Sequence, residues 1–269
     1  MNRPAWSLAL LWLAACGAGA ATPIDEARPV GSPRSVAVAY GVGGPWRYHY
    51  VRADTIITTL PNGSLQQQVL ERRLVLRWQV TAANDGLMLA VTIDSAQVYG
   101  LSDGAGRTMA DQARGVVIRA RLAPNGALSD VMSPSGNAIA RTFAANLAWM
   151  VPSFPVEIRE GMGWGDTLTS TVQFQVVDLV ERTKRQSIGT RQGNAISVVM
   201  SGAVVRDGVT PQLRLDGSGT RSGTARVGAL GRLEAGTGRD SVEMIASVQA
   251  IGQRVKILQV GAYTLTPIP

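Results

Sequence analysis

The sequence predicts a mainly β fold: a duplicated antiparallel meander forming a curved sheet, half-barrel or barrel, with one central amphipathic helix. Three observations lead there. Apolar and polar residues alternate with period two through most of the chain, as in strands with one buried and one solvated face. Asn-Gly and Asp-Gly pairs fall between apolar runs at Asn62-Gly63, Asp85-Gly86, Asn125-Gly126 and Asp207-Gly208. Such pairs supply the positive φ angles of tight hairpins. No strand–helix–strand rhythm is present, which argues against a parallel sheet.

Taken in order, the first strand carries Trp46, Arg47, Tyr48, His49, Tyr50 and Val51, with Tyr48 and Tyr50 on one face and His49 on the other. In residues 70–80 the even positions are apolar except Arg72, and the odd ones polar except Val75. Leu87, Leu89, Val91 and Ile93 repeat the alternation. So do Val116, Ile118, Ala120 and Leu122, with Arg119 and Arg121 outward. Past the middle come Val172, Phe174 and Val176, then Val242, Met244, Ala246 and Val248, and a last run from Val255 to Leu265. The glycine clusters at 217–223 and 236–238 link no strand to a helix and hold no phosphate-loop lysine. They read as flexible hairpin loops.

Residues 134–151 break the period. Ile139, Phe143 and Leu147 recur every four residues, with Ala140, Ala144 and Ala148 on the adjacent stripe. An amphipathic helix of about three turns is expected. Ser133, Ser135 or Asn137 can cap its start, and Pro152 and Pro155 end it. The helix separates two halves, 36–133 and 161–266, that begin alike, at Gly43-Gly44-Pro45-Trp46 and Gly161-Met162-Gly163-Trp164. They also carry similar turn elements at 121–128 and 226–233. The likeness suggests an internal duplication of roughly 100 residues per unit.

The chain opens with the parts of a secretory signal, residues 1–15. Arg3 and the free amine make a small positive region, and residues 5–15 an apolar stretch. That stretch is too short for a permanent span, which needs about 20 residues. Leu13-Ala14-Ala15-Cys16 follows, and Cys16 is the single cysteine. This resembles the lipobox of bacterial lipoproteins. The resemblance implies cleavage between Ala15 and Cys16, a diacylglyceryl group on the Cys16 thiol, and a further acyl chain such as palmitate on the freed amine. Two or more chains anchor a protein firmly. Gly17 in place of an aspartate implies, by the same resemblance, the outer membrane. The alternative is an ordinary secretory signal cut after Ala18 or Ala20, which leaves no lipid.

Residues 16–34 are small and include three prolines, so they read as a tether reaching on the order of 20–25 Å. The β-rich domain, 35–269, lies beyond. The lipobox, the duplicated meander and the glycine-rich strand starts together resemble β-rich bacterial lipoproteins. The architecture is also similar to the incompletely closed sheets of the lipoprotein carriers LolA and LolB, in which helices plug an apolar concavity.

The net charge is +7, and Lys184 and Lys256 are the only lysines among 26 basic residues. The arginines stand singly along the strands. This reads as a solvated sheet face, without the basic and aromatic clustering of a nucleic-acid reader, and it favours a weak attraction to anionic headgroups. With Cys16 taken by lipid, no disulfide is possible in the mature chain. His49 is the single histidine, so any Ser-His-Asp or Cys-His site would have to use it; on its strand it reads as a surface residue. One histidine and no free thiol argue against a transition-metal centre, and the dispersed acidic residues argue against a calcium loop. Asp166, Asp178 and Glu181 would serve a glycosidase only if two of them stood about 5–9 Å apart. Solvation of strand ends is the plainer reading.

The expected function is non-catalytic, with no cofactor beyond the lipid on Cys16. The chain would be an envelope lipoprotein facing the periplasm, holding a hydrophobic small molecule or lipid in the sheet concavity. Phe143, Leu147, Trp149, Met150 and Phe154 would line the apolar mouth; the same residues also suit a plain core. A scaffold recruiting another envelope protein through free sheet edges or the arginine-rich face is the alternative, followed by a carboxylate-dependent hydrolase.

Overall fold

The computed structural model describes residues 38–133, 136–159, 161–174, 177–248 and 252–269. The signal, the Ala15–Cys16 junction and the tether lie outside the described residues, as does Val176.

The elements in chain order are β1 (Gly43–Thr59), β2 (Leu65–Ala83), β3 (Gly86–Tyr99), helix α1 (Asp103–Ala113), β4 (Val117–Leu122), β5 (Leu128–Met132), helix α2 (Ala138–Met150), β6 (Gly163–Phe174), β7 (Val177–Gln192), β8 (Ala195–Val209), β9 (Leu213–Val227), β10 (Leu233–Val248) and β11 (Gln253–Ile268). All eleven strands lie in one sheet, in the order β5-β4-β3-β2-β1-β11-β10-β9-β8-β7-β6. Every pairing is antiparallel. Strands adjacent in sequence pair, except β5 and β6. The one long-range pairing joins β1 to β11, from Arg47 opposite Ile268 to Thr59 opposite Lys256. A pairing of β5 with β6 would complete the ring, and among the described residues it is missing. The sheet is therefore a curled half-barrel with two free edges, and α2 is the stretch of chain between them.

The alternation places side chains as expected along β2, β3, β4 and β10. Leu74, Leu76, Trp78 and Val80 are buried, and so are Leu89, Val91, Ile93, Ile118, Ala120 and Leu122. Gly63, Gly86 and Gly126 hold positive φ angles of 81°, 132° and 91° in their hairpins. Asp207-Gly208 is a correction, because it lies inside β8. The β8–β9 turn is made at Thr210, whose backbone N–H donates to the Leu213 carbonyl at 2.8 Å. Gly208 has a packing role instead: a Cβ there would stand 2.5 Å from Leu179 Cδ2. The clusters at 217–223 and 236–238 are likewise strand interior, in β9 and β10, and not loops.

Helix α2 matches its sequence pattern and starts at Asn137, whose Oδ1 accepts from the Ala140 N–H at 2.9 Å. A second helix, α1, was not expected. Its buried face is Gly106, Ala110 and Ala113, too small to register as an apolar stripe. That smallness lets it lie on β3, where a Cβ on Gly106 would come 2.9 Å from the Val98 carbonyl oxygen.

The core has two parts. The larger apolar cluster joins Tyr48, Tyr50, Leu76, Trp78 and Ile93 of the sheet to Ile139, Phe143 and Leu147 of α2. The smaller one gathers Leu179, Val204, Leu215, Val242, Met244 and Ile257. Tyr40 ties the two similar turn elements together. Its backbone N–H donates to the Pro124 carbonyl at 2.7 Å, and the Gly41 N–H to the Leu230 carbonyl at 3.2 Å. Gly126 and Gly231, at φ +91° and +74°, press on its ring from the two turns, leaving no room for a Cβ on either.

Candidate functional site

Helix α2 occupies the opening that β5 and β6 leave. It is apolar nearly all round, as suits a helix surrounded by protein. Phe143 reaches the sheet floor, edge-on to Tyr50 at 5.2 Å and to Trp78 at 6.4 Å between ring centroids. Beside the helix, the seam leaves a groove of about 390 Å³ between β5, α2 and β6, lined by Leu128, Val131, Ala144, Ala148, Thr169 and Thr171 among others.

The two ends of α2 are held differently. At the N-terminal end, Asn137 Nδ2 donates to the Gln112 carbonyl at 2.7 Å. At the C-terminal end, Arg185 of β7 is a latch. Its Nη1 donates to the carbonyls of Ala148 and Val151 at 3.0 and 3.3 Å, which satisfies oxygens the helix leaves unpaired. Its other nitrogens hold Asp166 Oδ1 at 2.9 Å and Ser153 Oγ at 2.9 Å. A guanidinium with five fixed donors suits this many-partner role.

Deeper in the half-barrel, between the two apolar clusters, lies a belt of buried charge. Arg52 Nη2 donates to Asp54 Oδ1 at 2.7 Å and to Asp240 Oδ1 at 3.0 Å, and Arg72 also reaches Asp54. Arg206 Nη2 and Arg221 Nη1 both pair with Glu181, at 2.7 and 3.0 Å, and Arg206 Nη1 donates to Gln259 Oε1 at 2.8 Å. Burial works against both charge states here, and the partners outweigh it. Asp240 and Asp54 hold the Arg52 pKa well above its ordinary value. For Asp54, burial would raise the carboxyl, but Arg52 and Arg72 bring it below the usual carboxylate range.

Glycines make room for this filling. Tyr263 lies across Gly238, where a Cβ would stand 2.2 Å from its ring, and Trp149 Nε1 sits 3.2 Å from the Cβ position of Gly223. The guanidinium of Arg221 stacks over Trp149 at 5.4 Å from the ring centroid.

The five residues expected at a mouth, Phe143, Leu147, Trp149, Met150 and Phe154, are all buried members of the larger cluster, so in this structure none lines an open entrance. The structure spreads them out. Phe143 meets β1 and β2, Trp149 meets β8 and β9, and Phe154 sits beyond the helix between Tyr40 and Trp164 at 6.1 and 5.9 Å. His49 faces outward and is exposed. Asp166 and Glu181 are tied to arginines, while Asp178 is exposed opposite Gln173.

The arginines need a correction. Arg52, Arg185, Arg206 and Arg221 are buried, and Arg72 is largely so, although the sequence reading placed them on a solvated face. Arg119, Arg121, Arg182, Arg214 and Arg239 do face outward. The missed signal was positional. Arg72 interrupts the apolar even positions of β2, and Arg52 shares the face of Tyr48 and Tyr50.

No protein-family model matches the chain, and no curated protein matches it. Among solved structures, one described as "Asymmetric conductivity of engineered proteins" is 8% identical over 84% of this chain and 100% of that one, with a TM-score of 0.22. The loop L8 deletion mutant of OmpT, an outer membrane protein of Vibrio cholerae, is 7% identical over 82% of this chain and 100% of its own, with a TM-score of 0.18. Likenesses this slight carry no argument.

Proposed function

We propose that the chain is a non-catalytic envelope lipoprotein, anchored through Cys16 to the outer membrane and facing the periplasm, that takes a hydrophobic small molecule or lipid into the half-barrel. One observation carries the reading: a single 13-residue helix, rather than strands, closes the apolar concavity. Moving a helix between two free edges breaks no ladder of inter-strand hydrogen bonds, and its cost is the exposure of the buried Ile139 and Phe143. Arg185 would keep the C-terminal end of α2 in place while the Ile139–Phe143 end swings. Phe143 and Leu147 then become the mouth, and the groove along β5 and β6 widens into the entrance.

Mass spectrometry of the chain purified from a bacterial envelope tests anchor and cargo together. The expected denatured mass begins at Cys16 with a lipid adduct, and the native mass carries a bound lipid that dissociates on activation. A mature chain beginning after Ala18 or Ala20 removes the anchor. A bare, compact protein removes the cargo and favours the scaffold, whose partner would be sought at the free edges of β5 and β6.

A further inference from the structure

The belt of buried charge is unbalanced. Arg52 and Arg72 share two carboxylates, Asp54 and Asp240, whereas Arg206 and Arg221 share Glu181 alone, so the surplus positive charge among the described belt residues lies on the Arg206–Arg221 side. The same place gathers donors without acceptors. Arg52 Nη1, the hydroxyls of Tyr50 and Tyr263, and Trp149 Nε1 are all buried with no hydrogen-bond partner. Each parent residue is nine-tenths buried or more, at 3%, 2%, 4% and 1% exposure in that order. An orphaned buried donor is costly, so four in one neighbourhood need an explanation.

The sheet register brings these groups together. Arg52 stands directly opposite Tyr263 across the β1–β11 pairing. The rings of Tyr50 and Tyr263 stack at 5.9 Å. Tyr263 covers Gly238 and Trp149 covers Gly223, and those two glycines are direct partners in the β9–β10 pairing. Burial pushes the Tyr50 pKa up to about 12, which keeps its hydroxyl protonated. The cluster lies where the belt meets the larger apolar cluster, to which Tyr50, Tyr263 and Trp149 belong.

We propose that Arg52, Tyr50, Tyr263 and Trp149 form an interior receptor for the carboxylate of a monoanionic, apolar-tailed ligand of the long-chain fatty acid class. One carboxylate supplies lone pairs for the orphaned donors, and Arg221, stacked on Trp149, brings the surplus positive charge to the same place. Its tail runs into the apolar cluster beneath α2. The proposal rests on the reading of a hydrophobic cargo, and it specifies the head group.

The test titrates the full chain calorimetrically with laurate, dodecan-1-ol and acetate, in the parent protein and in a Tyr50→Phe/Tyr263→Phe double variant. The variant is suitable because neither hydroxyl makes a hydrogen bond in the fold, so its unfolding midpoint should hold or rise. The expected result is laurate binding roughly tenfold or more tighter than dodecan-1-ol, with that preference falling several-fold in the double variant. Equal affinity for laurate and dodecan-1-ol, or a preference untouched by the double variant, overturns the head-group site and leaves the hydrophobic cargo standing. Failure of both twelve-carbon probes to bind overturns the cargo reading as well. Acetate binding as tightly as laurate overturns the tailed ligand and makes the source a free carboxylate.

Discussion

The β1–β4 side and the β7–β10 side of the sheet share one alternating pattern and, apart from Arg52, Asp54 and Arg72 on β1 and β2, fill their concave faces differently. On the first side the strands supply their own bulk: Leu74, Leu76, Trp78, Leu89, Val91, Ile93 and Ile118 are all buried. On the second side, glycines such as Gly202, Gly223 and Gly238 stand at inward positions, and the space above them is taken by side chains from elsewhere. Trp149 comes from α2 and Tyr263 from β11, while the guanidinium groups lie flat among their carboxylates. Period-two patterning thus says which residues face inward and leaves open whether the interior is apolar, empty or charged. An apolar wall tolerates small adjustments of volume. A charged one depends on each partner being present, since an unpaired buried ion is costly.

The largest effect that would sharpen this contrast is expected from Glu181→Gln. It leaves Arg206 and Arg221 buried without a counter-charge and should cost about 3–5 kcal/mol of stability, read by urea unfolding. A loss below about 1 kcal/mol would mean that water already solvates the belt, and the contrast would collapse. Leu76→Ala on the apolar side comes next, at about 2–5 kcal/mol. Its loss should be the same at pH 7 and pH 4, because no titrating group is removed.

Asp54→Asn gives the smallest signal and the most specific one. The folded Asp54 pKa is lowered, so its stabilising contribution is complete above the unfolded value near 4 and is lost as pH falls through the folded value. The variant should therefore be less stable at pH 7 and show a shallower acid slope below about pH 4. An unchanged slope would place the acid sensitivity elsewhere.

Much of the fold was legible in the sequence. Alternation located β1 to β4, β6, β10 and β11, the four-residue spacing of Ile139, Phe143 and Leu147 located α2, and Asn-Gly pairs marked two of the hairpins. What stayed hidden depends on distant neighbours. Gly208, Gly223 and Gly238 look like turn residues until Leu179, Trp149 and Tyr263 are seen against them. Arg52 and Asp240 are separated by 188 positions, and no local pattern announces that they meet. The missing β5–β6 pairing and the buried place of Arg185 belong to the same class. Helix α1 escaped for a different reason: its buried face is glycine and alanine, which carry almost no hydrophobic contrast.

The pairing of β1 with β11 bears on how the chain assembles. Every other pairing joins sequence neighbours and closes a short loop, whereas this one spans nearly the whole described chain. Short loops close fast and long ones slowly. Two meanders, β1–β5 and β6–β11, can each zip as soon as they are made, and the slow event is the search of one preformed sheet for the other. Arg47 has no β11 partner until Ile268 exists, and Arg52 cannot reach Asp240 before β10 is made. During that wait β1 and β11 are both open edges, so the moment of greatest exposure to wrong strand pairing comes just before the last seam closes.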